Sequence, residues 1–166
     1  MNLLTEYKNF LPKENFTQLY ELITNIDFPW RIRNRMTADD DNYYFTHNFY
    51  SNFCHCSEYY FNYIIPILSR LNCKAPIEIR SNMVINKLFE KGGWHTDLFS
   101  SYNYNSTTAI LYLNTCNGGT EFKINNEIKF INAEENKIVI FPSSIEHRAC
   151  TSTDSDRRYI INFNYF

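Results

Sequence analysis

The hydrophobic pattern changes period about midway along the chain. From Lys13 to Ile26 the apolar residues Phe16, Leu19, Tyr20, Ile23 and Ile26 recur at intervals of three and four. That spacing places them on one stripe of an α-helix. Pro12 precedes the stretch and Pro29 follows it, in keeping with helix boundaries. A second helix is predicted over about 57–71, with Tyr60, Tyr63, Ile64, Ile67, Leu68 and Leu71 on its buried side. Pro66 inside it predicts a kink or a break, because proline lacks the amide hydrogen the helix ladder needs. From Pro76 the period becomes two: Ile77, Ile79, Met83 and Ile85 alternate with Glu78, Arg80, Asn82 and Asn86, which reads as a strand. Short strand-like runs follow over 107–113, 120–124, 127–131, 137–141 and 158–165. Turn signals separate them at Asn117-Gly118-Gly119, Asn125-Asn126 and Pro142-Ser143-Ser144. Asn125-Asn126 between two short strands predicts a tight hairpin.

Helices first and many strands after is an α+β order, with the strands closing into a sandwich or small barrel. A chain of 166 residues fits one domain, 1–166, with about 1–75 mainly helical support and 76–166 the β core. It is long enough to bury a core without disulfides or structural metal. Cys54, Cys56, Cys73, Cys116 and Cys150 are odd in number and do not read as a disulfide framework, so a reducing compartment is expected. No apolar run is long enough for a transmembrane helix, and Met1–Phe16 lacks a basic leader followed by an apolar stretch. A cytoplasmic location, with no membrane partner, is therefore expected. The net charge of −2 argues against a nucleic-acid partner, since such affinity comes from neutralising phosphates. The 17% aromatic content, with abundant Asn and Ile, reads as a composition bias, so single Asn, Tyr and Phe residues carry little weight unless geometry singles them out.

His95-Thr96-Asp97 carries two metal-competent side chains at i and i+2, positions that share a face on an extended segment. A third ligand must come from elsewhere, and His147, following the strand 137–141 and a Pro-Ser-Ser turn, is the best candidate. Two imidazoles and one carboxylate make the facial triad that holds Fe(II) with open positions. The pair alone is a weak signal. On the last strand Arg158, Ile160, Asn162 and Asn164 point one way and Tyr159, Ile161, Phe163 and Tyr165 the other. The second set is the packed side, so the first faces a polar cavity. Arg157 would fall on the apolar face, where an unpaired charge is costly, which favours Arg158. An arginine captures a carboxylate bidentately, and a metal triad with a guanidinium one strand away suggests a dicarboxylic acid stretched between them.

Several neighbours have ordinary readings. His47 and His55 lack strand context, and Cys54-His55-Cys56 has no second Cys/His pair at zinc-knuckle spacing, so free buried thiols are expected. Gly92-Gly93 permits a turn before His95. Trp94 reads as packing, and Arg148 points away from the metal. Arg31, Arg33 and Arg35 face Asp39–Asp41 in a solvated stretch or lid. Asp39–Asp41 and the loop Ser100–Ser106, with Tyr102 and Tyr104, are where substrate selection is expected, because loops on a rigid scaffold usually carry it.

Together these residues resemble the 2-oxoglutarate- and Fe(II)-dependent oxygenases of the prolyl 4-hydroxylase-like branch, most of all small phage-encoded members. The resemblance runs through His95-x-Asp97, Ile110-Leu111-Tyr112-Leu113-Asn114, Gly118-Gly119-Thr120-Glu121-Phe122, Val139-Ile140-Phe141-Pro142, His147 and Arg158-Tyr159-Ile160-Ile161-Asn162-Phe163, about half the chain. It implies a double-stranded β-helix buttressed by the N-terminal helices. It implies Fe(II) on His95, Asp97 and His147, and 2-oxoglutarate with its distal carboxylate on Arg158 and Tyr112. Asn162, on the same face, is a further candidate for cofactor contact. O2 is the co-substrate and ascorbate a candidate reductant. The implied reaction splits 2-oxoglutarate to succinate and CO2 and hydroxylates an unactivated C–H bond, with a prolyl residue of a peptide or protein, or a small molecule, as substrate. Many relatives carry a tyrosine about ten residues before the first histidine; Ile85, Asn86 and Leu88 stand in that neighbourhood here, and Asn86 is the candidate replacement. Two other readings are a nucleobase-demethylating oxygenase with the same cofactors and a non-catalytic metal-binding β-barrel module.

Overall fold

The computed structural model describes residues 3–34, 43–86, 91–98 and 105–166. Two β-sheets face one another, and the helices cover the far side of the larger. That larger sheet contains β1 (Thr5–Tyr7), β2 (Arg31–Asn34), β3 (Tyr43–Ser51), β4 (Cys54–His55), β5 (Pro76–Ile85), β6 (Thr107–Tyr112), β9 (Lys137–Pro142) and β11 (Arg157–Tyr165). Its order is β1-β9-β6-β11-β5-β3-β2, with β4 pairing β3. The smaller sheet has the order β10 (His147–Cys150), β7 (Gly119–Ile124), β8 (Glu127–Asn132). Bridges from Lys91 to Cys150 and from His95 to His147 lay a further short stretch along β10. This is the expected α+β, double-stranded β-helix architecture with helical support. Among the described residues no helix is long and apolar enough to cross a membrane.

The alternation in β11 divides the core in two. Tyr159, Ile161 and Phe163 pack outward against Leu19, Ile23, Ile64 and Ile67 of the helical layer. Ile160 faces inward and joins Ile110, Phe122, Ile131 and Phe141 between the sheets. The first helix, α1 (Lys13–Thr24), buries Phe16, Leu19 and Ile23. Its stripe is narrower than predicted, since Tyr20 is partly exposed and Ile26 is 96% exposed. The helix stops at Thr24 and the Asn25 side chain accepts from the Asp27 amide, turning the chain before Ile26 can reach the core. The second helical region breaks just ahead of Pro66. A π-helical turn over Tyr60–Ile64 passes into α2 (Ile65–Arg70), with Pro66 in its first turn, where a missing amide costs nothing.

The first 75 residues are not mainly helical: β1 to β4 lie within them. β3 pairs with β5 from Phe45↔Met83 to Tyr50↔Ile79, with a bulge after Asn48, so it widens the main sheet by one strand. Its sequence Tyr43–Ser51 is rich in β-forming aromatics but alternates poorly, because one face meets the helices and the other the space between the sheets. This places His47 in a strand, 9% exposed, with Nδ1 near the Pro29 carbonyl and Nε2 2.9 Å from the Ser57 hydroxyl. Cys54 and Cys56 are free but exposed rather than buried, since the short β4 sits at the sheet edge. The Asn125-Asn126 hairpin has positive φ at both residues, 50° and 66°, the type I′ turn that matches strand twist. Asn9, Asn52, Asn72 and Asn136 also adopt left-handed backbone. Asparagine, which tolerates that region better than most residues, takes the turn positions in a chain with only four glycines.

Candidate active site

Backbone pairing brings the two histidines together. The His95 amide donates to the His147 carbonyl (3.1 Å) and the His147 amide donates back to the His95 carbonyl (2.9 Å). Their rings lie 4.7 Å apart between centroids. Asp97 follows two residues after His95 and brings its carboxylate to the same point. Its Oδ1 is 3.8 Å from His95 Nε2 and its Oδ2 is 3.7 Å from His147 Nε2, and one ligand atom from each residue fits within 4.8 Å of the others. Atoms bonded to one ion at about 2.0–2.2 Å lie roughly 3–3.5 Å apart, so a small closing motion around an ion suffices.

The imidazoles are oriented for this. His95 Nδ1 lies 3.0 Å from the Gly93 carbonyl and His147 Nδ1 3.1 Å from the Ile145 carbonyl. A carbonyl only accepts, so each Nδ1 carries the proton and each Nε2 presents a lone pair inward. Burial, reinforced by His95 and Arg80, depresses the His147 pKa although Asp97 opposes it, which keeps the ring neutral. Burial alone would raise the pKa of Asp97, whose side chain is 1% exposed. The neighbouring His147 and Arg80 and the hydrogen bond from Asn162 outweigh it and hold the carboxyl ionised. Asn162 Nδ2 donates to Oδ2 at 2.7 Å, and Arg80 Nη2 reaches Oδ1 at 3.4 Å while Nη1 pairs with Glu78 at 3.1 Å.

Deeper between the sheets lies Arg158, 1% exposed. None of its three guanidinium nitrogens has a hydrogen-bond partner among the described residues. Burial pulls its pKa down from the ordinary arginine value, the sign of a cation held without enough counter-charge. Tyr112, wholly buried, donates its hydroxyl to Thr120 Oγ1 at 2.8 Å. Burial pushes its pKa up to about 12, so the phenol keeps its proton. A buried, unpaired guanidinium is costly, and an anion with two oxygens would relieve it bidentately. The chain thus offers three metal ligand atoms at the mouth and a carboxylate socket beneath, which fits a metal ion and a dicarboxylic acid.

Other sequence-predicted residues fall as follows. Arg157 is exposed, its Nη1 3.4 Å from the Tyr159 hydroxyl, as the strand alternation requires. Asn86 is half-buried beyond the end of β5, its amide donating to the Asp156 carbonyl; among the described residues its side chain hydrogen-bonds to none of the triad. Asn162 meets the metal-facing carboxylate directly. Arg148 turns to the outer face of β10, where it and Lys91 pair with Glu121 at 2.7 and 2.6 Å. The Arg148 guanidinium and the Lys123 ammonium both stand over the Trp94 ring, at 4.3 and 4.5 Å, so Trp94 packs beneath cations and pins the segment that delivers His95. Asp39–Asp41, Leu88, Tyr102 and Tyr104 lie outside the described residues, as does most of the Ser100–Ser106 loop. Arg80 and Thr120 were not singled out by sequence. The signal for Arg80 was a charged residue on the polar face of β5, and for Thr120 its place after the Gly118-Gly119 turn.

Fold and site define a candidate mononuclear metal centre in a double-stranded β-helix, with a buried, unpartnered arginine between the same two sheets. The sequence model of the 2OG-Fe(II) oxygenase superfamily matches residues 83–166, and the chain belongs to that superfamily: it is a 2-oxoglutarate-dependent dioxygenase that uses Fe(II) and 2-oxoglutarate. No curated protein matches the sequence. Solved structures share the fold at low identity. An oxidoreductase of the 2OG-Fe(II) oxygenase family from Burkholderia pseudomallei superposes with a TM-score of 0.77 at 10% identity, covering 98% of this chain and 84% of its own. A prolyl hydroxylase from Trichoplax adhaerens, solved with a hypoxia inducible factor peptide fragment, gives 0.73 at 16% identity, covering 100% and 84%. A Pseudomonas putida prolyl-4-hydroxylase gives 0.67 at 13% identity, covering 98% and 92%.

Proposed function

We propose that this dioxygenase hydroxylates a C–H bond of a prolyl residue in a peptide or protein. In this reading His95, Asp97 and His147 hold Fe(II), and Arg158 and Tyr112 take the distal carboxylate of 2-oxoglutarate. The observation that carries the cofactor assignment is the fully buried Arg158 with no partner for any guanidinium nitrogen. Iron with 2-oxoglutarate and O2 supplies an oxidant able to break an unactivated C–H bond. The protein's part is positional. His95 and His147 present neutral Nε2 atoms, fixed by the Gly93 and Ile145 carbonyls. Asn162 and Arg80 restrain Asp97, and Thr120 accepts from the Tyr112 hydroxyl, a bond that Tyr112 would exchange for one to the carboxylate when 2-oxoglutarate binds. Three protein ligands leave positions free for co-substrate and O2. The likeness to prolyl hydroxylases, one of them holding a peptide fragment, supports a peptide substrate.

The test is Fe(II)-dependent release of succinate from 2-oxoglutarate, with mass spectrometry of proline-containing peptides for the gain of one oxygen. His95→Ala and His147→Ala are expected to abolish iron binding and turnover while leaving the melting transition cooperative, because main-chain atoms make the pairing between these two residues. Turnover retained in either variant would remove that histidine from the metal site.

A further inference from the structure

We infer that Glu78 is a specificity residue for the substrate, its carboxylate accepting a main-chain N–H beside the hydroxylated residue; this rests on the peptide hydroxylation proposed above. The inward face of β11 carries Arg158, Asn162 and Asn164, and these oppose Val84, Arg80 and Glu78 of β5. Asp97 is level with the middle pair, since both Asn162 and Arg80 reach its carboxylate. Arg158 lies four residues to one side, about 13 Å along the strand. The row of Glu78 and Asn164 lies two residues to the other side, about 7 Å away. With 2-oxoglutarate reaching from the metal ligands towards Arg158, that other side is the one left for a C–H bond to approach.

Glu78 stands at the open edge of that side. One guanidinium joins the two carboxylates: Arg80 Nη1 donates to Glu78 Oε2 at 3.1 Å and Nη2 reaches Asp97 Oδ1 at 3.4 Å. Side-chain exposure rises along this line, from 1% at Asp97 to 15% at Arg80 and 22% at Glu78, which marks the way from the buried ligand out to solvent. Behind Glu78 the wall is closed: Asn164 accepts from the Thr108 hydroxyl, which also shares a hydrogen bond with Ser143, and all three are buried. Among the described residues Glu78 hydrogen-bonds to Arg80 alone, through one oxygen, and the other oxygen is open to a donor. Charge decides which donor. Among the described groups Arg158 balances one carboxylate of 2-oxoglutarate, Fe(II) balances Asp97 and the second carboxylate, and Arg80 balances Glu78. A further cation would stay uncompensated in a half-buried place, which is costly, whereas a main-chain N–H brings a donor without net charge.

The experiment supplies the Fe(II) enzyme, 2-oxoglutarate and O2 with a randomised peptide library bearing one fixed central proline. Two further libraries are N-methylated, one at the residue before the proline and one at the residue after it, and mass spectrometry counts the oxidised peptides. The wild type is expected to use one methylated library at least about tenfold less efficiently, the worth of a hydrogen bond to a charged acceptor. Glu78→Leu is expected to use that library and the unmethylated one equally, and Glu78→Gln, which keeps the shape and an uncharged acceptor, to fall between. If Glu78 only holds Arg80 against Asp97, both variants weaken Fe(II) binding in a chelator titration and lower all three libraries alike. That result, equal use of the three libraries by the wild type, or unchanged discrimination in the variants overturns the inference. Enrichment of Lys and Arg among wild-type products, lost in Glu78→Leu, overturns it in favour of a substrate cation at the same carboxylate. Succinate release with no oxidised peptide overturns it together with the peptide substrate, while leaving the oxygenase intact.

Discussion

Asn162 donates a 2.7 Å hydrogen bond to the buried carboxylate of Asp97, joining a strand in the middle of the large sheet to the segment after His95. Asn162→Leu removes that donor and leaves Asp97 freer to rotate. Losing such a support around a metal ligand typically lowers metal affinity about 10–100-fold. Competition between the apoprotein and a coloured Fe(II) chelator measures this, and unchanged affinity would show that Arg80 alone sets the carboxylate.

Arg158 makes opposite contributions to the empty and loaded protein. Its uncompensated burial destabilises the protein without its co-substrate, so Arg158→Met is expected to raise the unfolding free energy by on the order of 1–4 kcal/mol. The same variant should need at least about tenfold more 2-oxoglutarate, since a charge-assisted pair is lost. Thermal melts with and without 2-oxoglutarate separate the two effects. A variant that melts lower would reveal a hidden partner for the guanidinium.

Burial holds the His47 pKa below its ordinary value of 6.5; Arg31 adds to this, while the Pro29 carbonyl opposes it. The unfolded chain then binds the proton more readily than the folded one, so stability rises with pH through the window beneath 6.5. His47 thus contributes fully above that value and loses its contribution as the solution is acidified. His47→Gln should flatten the fall in melting temperature between about pH 6.5 and 5. Since His147 shifts in the same direction, the quantity to compare is wild type against variant, both metal-free. Parallel curves would mean that His47 does not titrate there.

Gly119 opens β7 directly against β8. A Cβ at this position would run into the Ile131 carbonyl oxygen and lie 2.9 Å from the Phe130 ring. Backbone cannot swing aside as a side chain can, so Gly119→Ala is expected to cost at least about 1–3 kcal/mol. Because Cys150, at the end of β10, is its cross-strand partner, displacement of β7 should also lower iron affinity through His147. Chemical denaturation and the chelator assay read the two consequences.

Where one face was buried and the other polar, the sequence was legible. β5 and β11 follow their alternation, and the exposure of Arg157 beside a buried Arg158 is the strand period at work. That His95, Asp97 and His147 converge could be expected from residue types and order. β3 was missed because both its faces are covered, so neither reads as clearly polar. β10 was missed because four residues give too little period to detect, although its pairing is what sets His147 beside His95. The restraint on Asp97 by Arg80 spans 17 positions, a separation at which local pattern carries no information. The asparagines set aside as composition bias hold most of the left-handed turns.

β11 carries both Arg158 and Asn162, four residues apart on one face. The rigid spacing of a strand therefore acts as a caliper between the buried guanidinium, the proposed carboxylate socket, and the carboxylate of Asp97. A strand cannot be adjusted by one position: a single insertion or deletion between these residues turns one of them to the opposite face. The smallest change that keeps both facing inward is two residues, about 6.6 Å, far more than the one-carbon step between neighbouring dicarboxylic acids. In the proposed reading, preference for the length of the acid is consequently set by the backbone of one strand rather than by any side chain that a single substitution could alter.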